Sequence, residues 1–157
     1  RQSKHQQTQK VNLQNVVKEV QIILRYEILT NGATIYTDGL PVVMAVQLEM
    51  EQLLQNLISN AIKYQQAGNK AIIYVTGTER PNDWLIAVKD NGIGIDEKFC
   101  DKIFIMFQRL HNKDEYSGTG IGLAVCKKIV ERYGGTITME SKPGEGSTFF
   151  FTIPKPV

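Results

Sequence analysis

The stretch "QLLQNLISNAIKY", Gln52 to Tyr64, decides how this chain is read. Leu53, Leu54, Leu57, Ile58, Ala61 and Ile62 recur at the spacing of a helix face, so the segment predicts a helix lying against something apolar. Asn56, Asn60, Lys63 and Tyr64 stand at i, i+4, i+7 and i+8, which gathers them on one stripe ~100° wide beside that face. A solvated helix face normally carries Glu and Lys pairs, and asparagine is a mediocre helix former. Two asparagines on one ridge therefore ask for another reason. Two amides, an ammonium and a phenol suit a polyphosphate. A carboxamide oxygen can ligate Mg²⁺, a hard ion that takes oxygen ligands and keeps several waters, and Lys63 would neutralise phosphate charge.

What the helix lies against follows from its neighbours. "ATIYTD" (33–38) and "PVVMAV" (41–46) read as short strands, with Gly39 and Pro41 marking a turn between them. "KAIIYVTGTE" (70–79) and "DWLIAVKD" (83–90) flank Arg80-Pro81-Asn82-Asp83, a good hairpin connection. "TITMES" and "STFFFTIP" are two more strands, joined by "KPGEG". Helical spacing returns in "NLQNVVKEVQIILRYEIL" (12–29) and over 120–133. Helices that alternate with strands, and strands that pair as hairpins, predict a mixed sheet with helices on one face, a two-layer α/β sandwich.

Two glycine clusters flank this scaffold. "SGTGIGLAVCKKIVERYGG" (Ser117–Gly135) places Gly118, Gly120 and Gly122 at alternate positions and runs into an amphipathic helix. No Gly-Lys-Ser/Thr follows, so it is not a P-loop, and no strand leads directly into it, so it is not a dinucleotide fingerprint. A helix start of this kind suits an anion, because its free N–H groups and the helix dipole point the same way. The other cluster is "DNGIGID" (Asp90–Asp96). Read alone, its Asn-Gly equally suits a hairpin turn. Ile93 and Ile95, interleaved with Gly92 and Gly94, favour instead a flat ligand packed on the loop, with the Asp90 carboxylate accepting from an exocyclic amine.

Bulk properties narrow the function classes. The 157 residues are one domain by length, and 42% hydrophobic with 22% charged residues is ordinary for a globular protein. A net charge of +2 argues against nucleic acid or a membrane surface as partner. Cys100 and Cys126 lack metal-ligand spacing and read as reduced thiols of a cytoplasmic protein. The polar opening "RQSKHQQTQK" looks like the trailing end of something longer.

Taken in order, these features resemble the catalytic, ATP-binding domain of sensor histidine kinases, within the superfamily that includes gyrase, the Hsp90 chaperone and MutL. The N box is matched by "NLISNAIKY", the G1 box by "DNGIGI" and the F box by "IFIMFQRL" (Ile103–Leu110). The G2 box is matched by "GTGIGL" (Gly118–Leu123) and the terminal glycine box by "GEGSTF" (Gly144–Phe149). The resemblance covers roughly residues 12 to 154 and looks strongest to phytochrome-like and hybrid sensor kinases.

That resemblance implies a Bergerat fold: a mostly antiparallel sheet of about five strands with about three helices on one face. It implies a catalytic domain over 12–157, residues 1–11 trailing from a dimerisation and phosphoacceptor region, and an ATP lid at about 96–119. ATP and Mg²⁺ are the implied cofactors. Asp90 would read adenine, with Gly92, Gly94 and Ile95 opening its site and Thr148 supplying a hydroxyl nearby. Asn60 would ligate Mg²⁺, while Asn56, Lys63 and Tyr64 would meet phosphate and lid. Gly118, Thr119, Gly120, Ile121, Gly122 and Leu123 would cradle the triphosphate, and Arg109 would reach the γ-phosphate. Asn60, Lys63 and Arg109 form the implied catalytic set. Phe104 and Phe107 would tack the lid to the body.

The superfamily's ATP hydrolases place a glutamate base where this chain has Asn56, and an amide cannot take a proton near neutral pH. Phosphotransfer to histidine is therefore favoured over an ATPase or nucleotide switch. A non-catalytic nucleotide-binding module is the remaining alternative, which Lys63 and Arg109 argue against. The acceptor motif itself is missing. His5 has no acidic neighbour, and His111 follows the F box. The expected partners are thus the phosphoacceptor domain of the same protein and a downstream response regulator, with the isolated domain monomeric. "AVQLEMEQLL" lacks the Asp or Ser that often starts the N-box helix, which predicts a start without a side-chain cap.

Overall fold

The computed structural model describes residues 7–104 and 120–157, with only the backbone of Gly120 and Ile121. In chain order the elements are β1 (Gln9–Asn12), α1 (Leu13–Ile23), α2 (Arg25–Thr30), β2 (Thr34–Asp38), β3 (Val42–Ala45) and α3 (Gln47–Lys63). They continue with β4 (Ile72–Glu79), β5 (Asp83–Asp90), two short 3-10 turns (Glu97–Phe99 and Lys102–Phe104), α4 (Gly120–Arg132), β6 (Ile137–Lys142) and β7 (Gly146–Pro154).

Five strands form the main sheet in the order β2-β4-β5-β7-β6. Only β2 and β4 run parallel; the other pairs are antiparallel. The helices lie on one face, as the sequence pattern predicts. Alternation along the strands sends Ile73 and Val75 of β4, Ile86 and Val88 of β5, and Phe149, Phe151 and Ile153 of β7 into that layer. Leu53, Leu54, Leu57 and Ile58 of α3 meet them, fully buried, as do Ile129 and Val130 of α4. Each such side chain contributes about 1.5–3 kcal/mol of hydrophobic stabilisation. On the opposite face Tyr36 stacks on Tyr74, with ring centroids 5.1 Å apart.

The turn at Gly39 and Pro41 does not close a hairpin. β2 joins the main sheet, whereas β3 pairs antiparallel with β1 in a separate two-stranded ribbon. β1 starts at Gln9 and pairs with β3 from its first residue, Gln9 opposite Ala45. Within the segment expected as lid, Cys100, Ile103 and Phe104 are buried, and Phe104 meets Phe149 edge-on at 5.9 Å. Phe107 and the rest of that segment lie outside the described residues.

α3 starts at Val46 with no side-chain cap, as the absence of Asp or Ser predicts. Residues just beyond α4 and at its end compensate. The Tyr133 hydroxyl accepts from the Val46 N–H at 2.9 Å and donates to Glu49 Oε1 at 2.6 Å, and Arg132 pairs with the same carboxylate. Among the described residues no helix is long and apolar enough to cross a membrane.

Candidate functional site

The last turns of α3 carry Asn56, Asn60 and Lys63, with Tyr64 at the helix end. Asn56 faces the start of α4: a Cβ on Gly122 would lie 3.4 Å from Asn56 Oδ1, so glycine there lets the amide approach the helix. The same carboxamide hydrogen-bonds the Cys126 thiol, which burial pushes up to about 12, so this thiol stays protonated and inert. One turn on, Asn60 is 8% exposed, and its side chain makes no hydrogen bond among the described residues. A buried amide without partners is costly, on the order of 1–3 kcal/mol, so its place here calls for a reason. Lys63 is exposed at the helix end.

Tyr64 ends α3, and its carbonyl binds the G1 loop directly. Ile93 N–H donates to it at 2.9 Å, and a Cβ on Gly92 would run into it. The loop is therefore pressed against the helix that carries Asn60. Asp90, the last residue of β5, points to the helix side with Val88 and Ile86. Its Oδ1 accepts from Gly92 N–H at 2.8 Å and Ser147 N–H at 3.1 Å. Oδ2 makes no hydrogen bond among the described residues. Burial pushes this carboxyl up from 3.8 to about 6, and the two backbone donors hold it lower than burial alone would.

The β6–β7 turn closes on the loop from the other side. Gly144 N–H donates to the Ile93 carbonyl at 2.7 Å, and Ile95 N–H donates to Ser141 Oγ at 2.7 Å. Gly94, at φ +68°, and Gly146, at φ +95°, adopt left-handed conformations, and a Cβ on either would strike backbone, of Lys142 and of Asp90 respectively. Asn91, read from the sequence only as a turn residue, is a bracket. Its Oδ1 accepts from Ile72 N–H at 2.9 Å and Gln65 Nε2 at 3.2 Å, and its Nδ2 donates to the Lys70 carbonyl at 3.0 Å. DNGIGID is thus not a hairpin turn, since no strand follows and its polar groups are tied to three other segments.

Two further expected residues are placed as follows. Thr148 lies opposite Lys89 in the β5–β7 register, on the outer face of the sheet, away from Asp90. The residue that bonds Asp90 is Ser147, one position earlier and on the helix face, through its backbone N–H. The Leu123 side chain is 6% exposed and packs into the core, while the triphosphate contact expected of this segment is one made by its backbone N–H groups. Arg109, Gly118 and Thr119 lie outside the described residues; Gly120 and Ile121 form the first residues of α4. Among the described residues no cluster of three acidic, His or Cys side chains forms a metal site. A Mg²⁺ that took one oxygen from Asn60 and the rest from phosphates and water would need none.

Residues 45–157 match the family described as histidine kinase-, DNA gyrase B- and HSP90-like ATPases. The chain is 50% identical over 144 residues to the phytochrome-like protein Cph1 of Synechocystis sp., covering 91% of this chain and 19% of that protein. It is 55% identical over 132 residues to cyanobacterial phytochrome A of Nostoc sp., covering 83% of this chain and 17% of the relative. To the adaptive-response sensory kinase SasA of Prochlorococcus marinus it is 44% identical over 151 residues, covering 93% and 39% of the two chains. The chain thus spans between about a sixth and two fifths of these relatives. Among solved structures, the catalytic domain of histidine kinase ThkA superposes with a TM-score of 0.80 at 28% identity, covering 96% of this chain and 97% of that one. ThkA in complex with the response regulator TrrA superposes at 0.75 with 25% identity, covering 95% and 42%.

Proposed function

The chain belongs to the histidine kinase-, DNA gyrase B- and HSP90-like ATPase family, and from that premise we propose that it binds Mg-ATP and donates the γ-phosphoryl group to a histidine on the dimerisation domain of a sensor histidine kinase. The observation that carries this reading is the buried Asp90 carboxylate, with one oxygen pinned by two backbone N–H groups and the other open. An open anionic acceptor over a glycine floor accepts the 6-amine of adenine, where guanine would present a carbonyl and be repelled. Asn60 would supply an oxygen ligand to Mg²⁺, which when bound neutralises charge on the phosphates. Lys63, about one turn beyond Asn60, would add a second positive charge, and Arg109 a third.

Asn56 supports transfer rather than hydrolysis. It stands against Cys126 and Gly122 and has no proton-accepting group to offer water. A neutral imidazole already carries a free lone pair and needs little help from a base. The domain would act by holding the phosphates in line and neutralising them. The histidine-bearing hairpin of the same protein would be the immediate acceptor and a response regulator the final one, both in the cytoplasm; histidine kinase ThkA, for its part, is known in complex with the response regulator TrrA.

Incubation of the 157-residue chain with γ-labelled ATP and Mg²⁺ tests the reading. The chain alone is expected to bind ATP, hydrolyse it slowly and take up no stable label. Adding the parent's histidine hairpin in trans should yield weak, concentration-dependent, acid-labile and base-stable label, and fusing it should yield more. Rapid hydrolysis without a partner, or stable label at His5 or His111, would sink it.

A further inference from the structure

Asp90 does not hold its own position. Its Oδ1 accepts from the Ser147 N–H, and Ser147 is the second residue of β7, directly after Gly146. On β6, Ser141 faces Ser147 directly in the register, with hydroxyl oxygens 2.8 Å apart. Ser141 Oγ also accepts from the Ile95 N–H at 2.7 Å and lies 3.1 Å from the Gly146 carbonyl. One half-buried hydroxyl therefore joins both segments that frame Asp90: the loop leaving it through Ile95 and the strand start that donates to it.

Proton counting shows what that hydroxyl decides. A serine has one hydrogen to give. If Ser141 donates to the Gly146 carbonyl, the short contact with Ser147 must be filled by Ser147's own hydrogen. If Ser141 donates to Ser147 instead, the Ser147 hydrogen is released to the side where Asp90 lies. In both arrangements the Ile95 N–H has its acceptor, and the spacing between loop and strand is fixed by bonds of 2.7 and 2.8 Å. Without the oxygen, the Ile95 N–H, half-buried, loses its partner, and Ser147 loses the group that orients it.

We propose that Ser141 is a positioning residue for recognition of the nucleotide base: its hydroxyl locks the Ile95 loop to Ser147 and so sets the carboxylate of Asp90 where a purine 6-amine can donate to it. The inference rests on the reading of Asp90 as the adenine acceptor. It assigns Ser141 no contact with nucleotide.

The test is calorimetric binding of ATP and of inosine triphosphate, which carries a carbonyl in place of the 6-amine, to the 157-residue chain. Wild type should prefer ATP by about tenfold or more, the value of a hydrogen bond to a charged group. Ser141→Ala should weaken ATP by about five- to tenfold and leave inosine triphosphate unchanged, so that the preference collapses. Ser141→Thr, which keeps the hydroxyl, should restore it. If Ser141→Ala does not fold, Ser141→Cys is read by the same ratio. A preserved ATP preference in the variant, or equal weakening of both nucleotides, overturns the role of Ser141 while leaving Asp90 as base reader. A wild-type chain that binds both nucleotides equally overturns the reading of Asp90 and this inference with it.

Discussion

The two ends of the proposed nucleotide site, a base end at Asp90 and a phosphate end at Asn60 and Lys63, are built differently. At the base end, Asp90 Oδ1, Asn91, the Ile93 carbonyl and the Ile95 N–H each have a partner in another segment, and Gly92, Gly94 and Gly146 lie so close to neighbouring backbone that no side chain fits. At the phosphate end, the side chains of Asn60 and Lys63 make no hydrogen bond or ion pair among the described residues. One end is completed by the protein itself; the other keeps polar groups in reserve. The difference teaches where rigidity serves selection. Reading a base requires an acceptor fixed in place before the ligand arrives, whereas a triphosphate brings enough charge to organise an amide and an ammonium on its own.

If that contrast is right, the largest effect comes from disturbing the base end's backbone. Gly146→Ala puts a Cβ into the Asp90 carbonyl at a φ of +95° and should cost about 4 kcal/mol or more, or abolish folding. Gly144→Ala, two residues earlier at φ +80° with nothing near its Cβ, should cost only about 1 kcal/mol of backbone strain. Denaturant unfolding of the pair checks this. Equal costs would mean the turn has slack and the base end is not preformed.

Next is the charge itself. Asp90→Asn should weaken ATP by about ten- to a hundredfold, the loss of a charged acceptor worth about 1.5–3 kcal/mol. The same change should stabilise the free protein near pH 8. The folded carboxyl titrates at about 6 against 3.8 for an ordinary aspartate, so the unfolded chain releases its proton first. The stability favouring the protonated form is fully present below pH 3.8 and lost as pH rises through 6, by roughly 3 kcal/mol at most. Asp90→Asn should remove that slope between about pH 4 and 6, and ATP affinity in wild type should fall as the pH drops through 6. Unchanged ATP binding in the variant would remove Asp90 from the site.

At the phosphate end smaller effects are expected. Asn60→Ala should lower Mg-ATP affinity about tenfold and spare Mg-free ATP, because only the metal ligand is lost. Stability should hold or rise by about 1 kcal/mol, since a buried unpartnered amide has been removed. Lys63→Ala should weaken both forms by about three- to tenfold, more at low salt, with unfolding changed by less than about 0.5 kcal/mol. A large stability loss at Asn60, measured by thermal unfolding, would show that the amide serves the fold.

How much of this was legible in the sequence differs by region in the same way. The α3 stripe and the hairpins β4–β5 and β6–β7 were readable because their signals are local: a helical period, or two strands and their turn. The parallel pairing of β2 with β4 was not, since alternation says which face is buried and never which strand lies alongside; that is why a turn at Gly39 was read where the chain leaves one sheet for another. Asp90 and its glycines were identifiable by type. Asn91 and Ser141 were hidden, because a turn asparagine and a strand serine look ordinary until the segments they bracket, 65–72 and 95, are brought beside them.

The smallest prediction is also the sharpest on register. In a strand a slip of one residue moves a side chain to the other face, and Thr148, the expected hydroxyl, faces away from Asp90 while Ser147 faces the same side. Thr148 pairs with Lys89 and Glu140 on the outer surface, so Thr148→Val should change ATP affinity by less than about twofold. Ser147→Ala keeps the backbone N–H that Asp90 needs but removes the hydroxyl facing Ser141, and should weaken ATP by about three- to tenfold with the fold intact. The backbone donor survives both substitutions, so any difference between them is the worth of the side chain alone. Calorimetry on the two variants decides it: a loss at Thr148 with none at Ser147 would return the hydroxyl to its expected position and reverse the face assigned to the start of β7.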